Sequence, residues 1–240
     1  MMKYYYYISD TKLDMLSQQI RRGMSKKTSE VKFDAKIISA TRKNESEHDR
    51  YERLEHLCEY IHRFGDVGSV DDPGDYVFDT LDMQWGPYGR TENVNNPLIF
   101  FSGLTDHTVV GLGGSAKHLL GEAGAAVAHS ASGTALFARY LVEELKLSRE
   151  NSELYQALKE QTDHRTGKLK ADNEEYLGLM GLACYTMEGP TERLEFLAKR
   201  LLHGKLPDEK YWTEKGMANK YALMATPIYV ARADIPRGLV

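Results

Sequence analysis

The chain has 240 residues, 42% of them hydrophobic, which is enough apolar material to bury a full core and argues against disorder. Its 31 basic and 35 acidic residues are mixed along the chain, and a formal charge of −4 with a pI near 6.1 excludes the basic face that dominates nucleic-acid affinity. Two cysteines, Cys58 and Cys184, lie far apart in helix-like contexts and suggest neither a disulfide framework nor a zinc cluster.

Tyr4–Ile8 is a β-prone run, and Ser9 or Asp10 can cap a helix over Lys12–Ile20, where Leu13, Leu16 and Ile20 recur at helical spacing. Val31–Ala40 alternates apolar and polar residues as a strand does. A helix runs from a cap at Asn44 or Ser46 to about Phe64, with Tyr51, Leu54, Leu57, Cys58 and Ile61 as its apolar stripe and Gly65 as its end. After the turn-rich GDVGSVDDPGD, residues Tyr76–Trp85 suit a strand, and Gly86-Pro87 with TENVNNP a loop. Leu98–Phe101 and Thr108–Val110 then read as a strand pair turning at Gly103–His107.

The second half predicts helices over His129–Leu145, Ser152–Gln161, Glu174–Met187 and Thr191–Leu202, with one closing strand over 225–231. The expected fold class is α+β, a single domain over 1–240. Residues 1–122 would carry a mixed sheet with helices on one face, and residues 123–240 would form a mostly helical half. MMKYYYYISD lacks the apolar stretch of a signal peptide, and no apolar run approaches the ~20 residues that span a bilayer, so a cytoplasmic protein is expected.

The chemistry concentrates where the strand pair runs into Gly111, Gly113 and Gly114 and then a helix start. Glycines there allow close backbone approach, and a helix beginning at Ser115 would aim unpaired amides at an anion, with Lys117 and His118 in the first turn. The pattern matches neither the Walker loop nor the dinucleotide fingerprint, and a tight structural turn is the plainer reading. Ser9 and Lys12 occupy a second strand-to-helix edge. If the two turns lie side by side, Ser9, Lys12, Gly113, Gly114, Ser115, Lys117 and His118 would form one polar pocket.

Other clusters weigh less. Ser102, Asp106, His107, Ser115, His118, His129, Ser130 and Ser132 crowd one stretch, so a Ser-His pair with a carboxylate could assemble there, yet no G-x-S-x-G elbow occurs. The acidic run from Asp66 to Asp82 lacks an EF-hand register, and Asp79 and Asp82 have opposite parity on a strand, which favours a solvated loop over a cation site. No histidine spacing suits a metal, so none is expected, and no cofactor is assigned. Tyr4–Tyr7 reads as buried tyrosines first and as a base-stacking wall second.

The segments YYYYISDTKLDML, TVVGLGGSAKHLLG, FLAKRLLHG and ATPIYVA together resemble a bacterial family catalogued as a domain of unknown function, across nearly the whole chain. The resemblance implies a bacterial protein of one module and supplies no activity or catalytic residue; signalling or phage defence is the conjectured setting. The residues themselves lead to a binder of a small phosphorylated or nucleotide-like ligand. Backbone amides of Gly113, Gly114 and Ser115 would hold the anion, Lys12 and Lys117 would neutralise it, and Tyr5 or Tyr7 would stack on a base. The alternatives are a hydrolase or phosphoryl-transfer enzyme with His118 or His107 as general base, and an interaction module whose helices meet a second copy or another protein.

Overall fold

The computed structural model describes residues 3–24, 47–88, 98–120, 173–187, 189–207, 213 and 216–233. The strands are β1 (Tyr4–Ile8), β2 (Val67–Gly68), β3 (Tyr76–Tyr88), β4 (Leu98–Leu104), β5 (Thr108–Ser115), β6 (Thr191–Lys205) and β7 (Tyr221–Arg232). Helices α1 (Asp10–Met24), α2 (Glu47–Phe64) and α3 (Asn173–Thr186) accompany them.

Five strands close on themselves. β3 pairs antiparallel with β4, β4 with β5, and β5 parallel with β7, while β6 pairs antiparallel with both β7 and β3 and completes the ring. Closure removes the open edges that an isolated sheet must protect. The inside is filled by Val77, Met83, Ile99, Phe101, Leu112, Phe196 and their neighbours, all fully buried. Each such side chain contributes about 1.5–3 kcal/mol through its removal from water.

Helices cover two sides of the outer surface. α1 and α2 lie over Leu197, Ile228, Tyr229 and Ala231 through Leu13, Leu54, Leu57 and Ile61. They are tied to each other by ion pairs from Arg50 to Asp10 (2.9 Å) and from Arg53 to Asp14. α3, apolar nearly all round, buries Leu177, Met180, Ala183 and Cys184 against Phe100, Val109, Ala222 and Met224. β4 and β5 are therefore covered on both faces, which is why they read as continuous apolar runs.

The expected α+β layer with helices on one face and a mostly helical C-terminal half is overturned: strands predominate, a five-stranded barrel is the centre of the fold, and only three α-helices occur among the described residues. The expected helix over Thr191–Leu202 is β6. Leu194, Phe196 and Ala198 point into the barrel while Leu197 packs outside under α1 and α2, so apolar residues fall on both parities and imitate helical spacing. Gly204 lets β6 approach α3: a Cβ there would lie 2.9 Å from Leu177 Cδ1.

Gly86-Pro87, expected in a loop, continues β3 opposite Phe100 and Ile99. The helix expected at Ser115 is one 3₁₀ turn, Ala116–His118, without a side-chain cap from Ser115. The closing strand occurs as β7 and sits at the centre of the sheet, paired on both sides. The elements expected over Val31–Ala40, His129–Leu145 and Ser152–Gln161 lie outside the described residues.

One detail of this topology positions the site. Along one edge of β7, β5 pairs only as far as Leu112↔Ala225, and β1 takes over from Ile8↔Tyr229 to Tyr4↔Arg232. Between them Thr226–Ile228 has no strand partner on that edge. There β7 bulges against β6, with Ala198 opposite Pro227 and Leu197 opposite Tyr229. At this notch β1 ends and β5 parts from β7 while staying paired with β4, and the chain after β5 crosses to β1, where Leu119 bridges Tyr7 and Leu120 N–H donates to the Tyr6 carbonyl at 2.9 Å.

Candidate functional site

The notch holds a cavity of about 340 Å³, bounded by the end of β1, the first turns of α1, the end of β5 and the middle of β6 and β7. Its polar lining includes Tyr7, Ser9, Thr11, Lys12, Ser115 and His118. Met15, Leu16, Tyr76 and Leu201 supply apolar walls, and Lys199 and Thr226 close the β6–β7 side. The volume falls at the small end of the ~300–1,000 Å³ range of ligand clefts.

Ser9 is the pivot between β1 and α1. Its N–H donates to the Ile228 carbonyl at 2.8 Å and its carbonyl accepts the Leu13 amide at 2.9 Å, so the strand is pinned to β7 and the first helical bond is already made. Its hydroxyl lies 3.4 Å from both the Lys12 amide and Lys12 Nζ. The capping oxygen thus satisfies a helix-start donor and also touches the lysine head.

Lys12 is largely withdrawn from water, and burial pushes its pKa down from the usual 10.5 to about 8. Among the described residues it has no carboxylate within salt-bridge distance. Lys199, by contrast, is engaged: its Nζ lies 3.2 Å from Asp75 Oδ2 and 4.5 Å from the centre of the Tyr76 ring. Lys12 is therefore the cation with spare capacity.

Tyr7 is fully buried, and among the described residues its hydroxyl makes no hydrogen bond of good geometry, although the Ser9 side chain and the Ser115 main chain lie close enough to act on it. Burial raises its pKa above the usual range, against a smaller opposing influence of Ser9 and the Ser115 main chain, so Oη stays a protonated donor. Gly114 makes room for it, since a Cβ there would come within 2.7 Å of Tyr7 Cζ and closer still to Oη.

His118 ends the 3₁₀ turn and is 5% exposed. Its Nε2 is 3.2 Å from Thr11 Oγ1, and its Nδ1 is 3.7 Å from Asp10 Oδ2. The same Asp10 oxygen accepts from Arg50 at 2.9 Å. Burial would raise the Asp10 pKa, but His118 and Arg50 together outweigh it and hold the carboxyl below its ordinary value.

Of the residues predicted from sequence, Ser9, Lys12, Ser115 and His118 meet at this cavity although the two segments are about a hundred positions apart. Gly113 and Gly114 stay in the β4–β5 ladder opposite Phe100 and Ile99, and Gly111 faces Met180 of α3; the space of Gly111 and Gly114 is filled by the protein's own side chains. Lys117 is half-buried and does not line the cavity. His107 lies at the other end of β5, in the turn. A three-residue 3₁₀ turn offers no row of helix-start amides, so the cradle expected at Ser115 is replaced by side chains.

Thr11, Lys199, Leu201 and Thr226 escaped the sequence reading. Thr11 stands one residue from Lys12 in a segment already singled out; the others belong to strands whose pairing had to be known. Tyr7 reaches the cavity, whereas Tyr5 lies on the opposite side of β1, in a groove of about 740 Å³ beside Tyr51 and Tyr229. That groove is larger, but its lysine is already matched, since Glu195 takes Lys3 at 2.5 Å and the Tyr229 hydroxyl at 2.6 Å, and its other charged lining residues, Glu55 and Glu59, are acidic.

The acidic loop is likewise self-satisfied. Asp79 accepts from Val70 N–H at 2.9 Å, Asp66 from Asp75 N–H at 3.0 Å, and Asp71 from the Thr105 hydroxyl at 2.6 Å. Among the described residues no group of three His, Cys, Asp or Glu side chains is placed to hold a metal ion, and no helix is long and apolar enough to cross a membrane. Cys58 and Cys184 are free thiols, both pushed up to about 12 by burial.

No curated protein and no solved structure shows a significant match to the chain. The model of a family of unknown function, DUF7019, matches residues 3–234, and the chain belongs to that family.

Proposed function

We propose that the cavity between β1, β5 and β7 binds a small anionic ligand, phosphorylated or nucleotide-like. The observation that carries this reading is Lys12, a cation held out of water at a cavity wall with a hydroxyl at 3.4 Å and no carboxylate partner among the described residues. A buried ammonium without a counter-charge weakens the fold, and an incoming anion relieves that cost while gaining from the low local dielectric. The Tyr7, Ser9 and Thr11 hydroxyls are further donors for anionic oxygens, and Met15, Leu16 and Leu201 are walls for an apolar or ring portion. Any part in signalling or phage defence would follow from what that ligand is.

Thermal unfolding in the presence of inorganic phosphate, AMP and adenosine tests the reading. Phosphate and AMP should raise the midpoint, by an amount equivalent to about 2.7 kcal/mol at a hundredfold excess over Kd, and adenosine should not. Lys12→Met should abolish the rise. Equal stabilisation by adenosine, or none by phosphate and AMP, would remove the anion from the proposal.

A further inference from the structure

We propose that Asp10, His118 and Thr11 form a carboxylate–imidazole–hydroxyl relay that makes Thr11 Oγ1 a nucleophile toward small carboxylic esters whose alcohol half carries a negative charge. This rests on the binding reading above in one respect: Lys12 is what holds the charged half.

The order of groups is the argument. A hydroxyl becomes nucleophilic when one ring nitrogen takes its proton and a carboxylate on the other nitrogen steadies the resulting imidazolium. His118 meets the Thr11 hydroxyl through Nε2 at 3.2 Å and the Asp10 carboxylate through Nδ1 at 3.7 Å. The ring is almost fully buried and lies edge-on to Tyr7 at 5.8 Å, so its orientation is fixed by packing. Arg50 fixes the carboxylate in turn. At 3.7 Å the Asp10 carboxylate is a charge beside Nδ1 and not its hydrogen-bond acceptor, and Nδ1 makes no hydrogen bond among the described residues, so the relay requires this pair to close when substrate binds.

A simple latch between α1 and the turn after β5 would use the same contacts. It would have no need of an exposed hydroxyl residue on the wall of a cavity, beside a lysine that has no carboxylate partner among the described residues. Thr11 is exposed and lines that cavity together with Lys12 and Tyr7.

In the first step Thr11 Oγ1 bonds to the carbonyl carbon and its proton passes to His118 Nε2. The carbon–oxygen bond to the alcohol half then breaks, and the leaving oxygen takes that proton. Water next attacks the acyl-Thr11 ester and gives a proton to Nε2; the bond to Oγ1 breaks and Oγ1 recovers the proton. One ester and one water become one carboxylic acid and one alcohol.

The test uses 4-acetoxy-3-nitrobenzoate, an anionic chromogenic ester, with 2-nitrophenyl acetate as its neutral counterpart. The intact chain should release the phenol from the anionic ester in preference to the neutral one. It should also gain the mass of one acetyl group, mapped by peptide analysis to Thr11. Thr11→Val and His118→Gln should each lose roughly a hundredfold or more of the turnover, Thr11→Ser should retain most of it, and Lys12→Met should erase the preference for the anionic ester. Acetyl groups on lysines alone, unchanged turnover in Thr11→Val, or no turnover by the unaltered chain would overturn the relay. The adduct map needs no variant, so it decides even if a substitution prevents folding. Stabilisation by phosphate without turnover would leave the binding reading standing and remove the relay; turnover at Thr11 without phosphate binding would support the relay and remove the anion site.

Discussion

Replacing Lys12 by methionine keeps an unbranched side chain and removes a charge that lines the cavity with no carboxylate partner among the described residues. Burial lowers the lysine from 10.5 to about 8. At 1.36 kcal/mol for each pH unit, that shift corresponds to a destabilisation of up to about 3 kcal/mol at neutral pH, less to the extent that water reaches the half-buried ammonium. Below pH 8 the folded and unfolded chains both carry the proton, and the cost is constant. Between 8 and 10.5 the unfolded chain keeps a proton that the folded chain has lost, so stability rises with pH until the cost is gone. Lys12→Met should therefore be more stable than the unaltered chain at pH 7 by up to about 3 kcal/mol, or roughly 6–12 °C in Tm for a chain of this size. The advantage should close as pH climbs through that window. Urea unfolding of both proteins at several pH values measures this, and taking the difference cancels the buried tyrosines and cysteines that titrate in the same range. A methionine variant no more stable at pH 7, or a gap unchanged up to pH 10.5, would refute the claim that Lys12 is a desolvated, uncompensated cation.

Gly114→Ala should cost about 1–3 kcal/mol by overpacking, because the new methyl meets Tyr7 Cζ at 2.7 Å, and a second change, Tyr7→Phe, should recover part of the loss in a double-mutant cycle read by denaturant unfolding. Asp10→Asn should lower stability near pH 7 by at most about 1 kcal/mol, since the ion pair with Arg50 is partly solvated. The folded-state pKa of Asp10 is depressed, so its contribution is present above the usual carboxylate range and is lost as pH falls through and below it. Acid titration of the difference between the two proteins checks the direction.

Local signals were legible wherever one face of an element meets water. Leu13, Leu16 and Ile20 marked α1, the Tyr51–Ile61 stripe marked α2, and Gly65 stopped it, its amide bonded to the Ile61 carbonyl at 2.7 Å. What failed was β6, although β4 and β5, equally covered on both faces, still read as strands from their short β-branched and aromatic runs. β6 carries Phe196 into the barrel and Leu197 under the helices, and an apolar run of that kind has no period to declare itself by. Closure of the barrel depends on β6 pairing with β3 and β7 together, a contact across more than a hundred residues for β3. No local pattern encodes it.

The site was legible in half. Turn residues at two strand ends identified Ser9, Lys12, Ser115 and His118, but the expected chemistry was backbone amides at a helix start, and the structure supplies side chains instead. Glycine was the misleading signal. Gly111 and Gly114 serve close packing against Met180 and Tyr7, a requirement as strict as that of a ligand and indistinguishable from it in sequence.

Why the two segments meet follows from β7 alone. A strand of twelve residues exposes one edge to two shorter partners, five pairings to β5 and four to β1, and neither covers Thr226–Ile228. Had β5 continued in register past Ala225, it would have occupied the notch and left β1 no place to end. The bulge at Ile228 turns the strand at that point, and β5 veers off into its 3₁₀ turn to reach β1. Two strands that part from β7 at the same notch must each satisfy their last polar groups, which places Ser9, Thr11 and His118 around one space. Lys12 is the residue this accounting does not require. It caps nothing, its burial lowers its pKa, and the proposed anion is the counter-charge that would offset that cost.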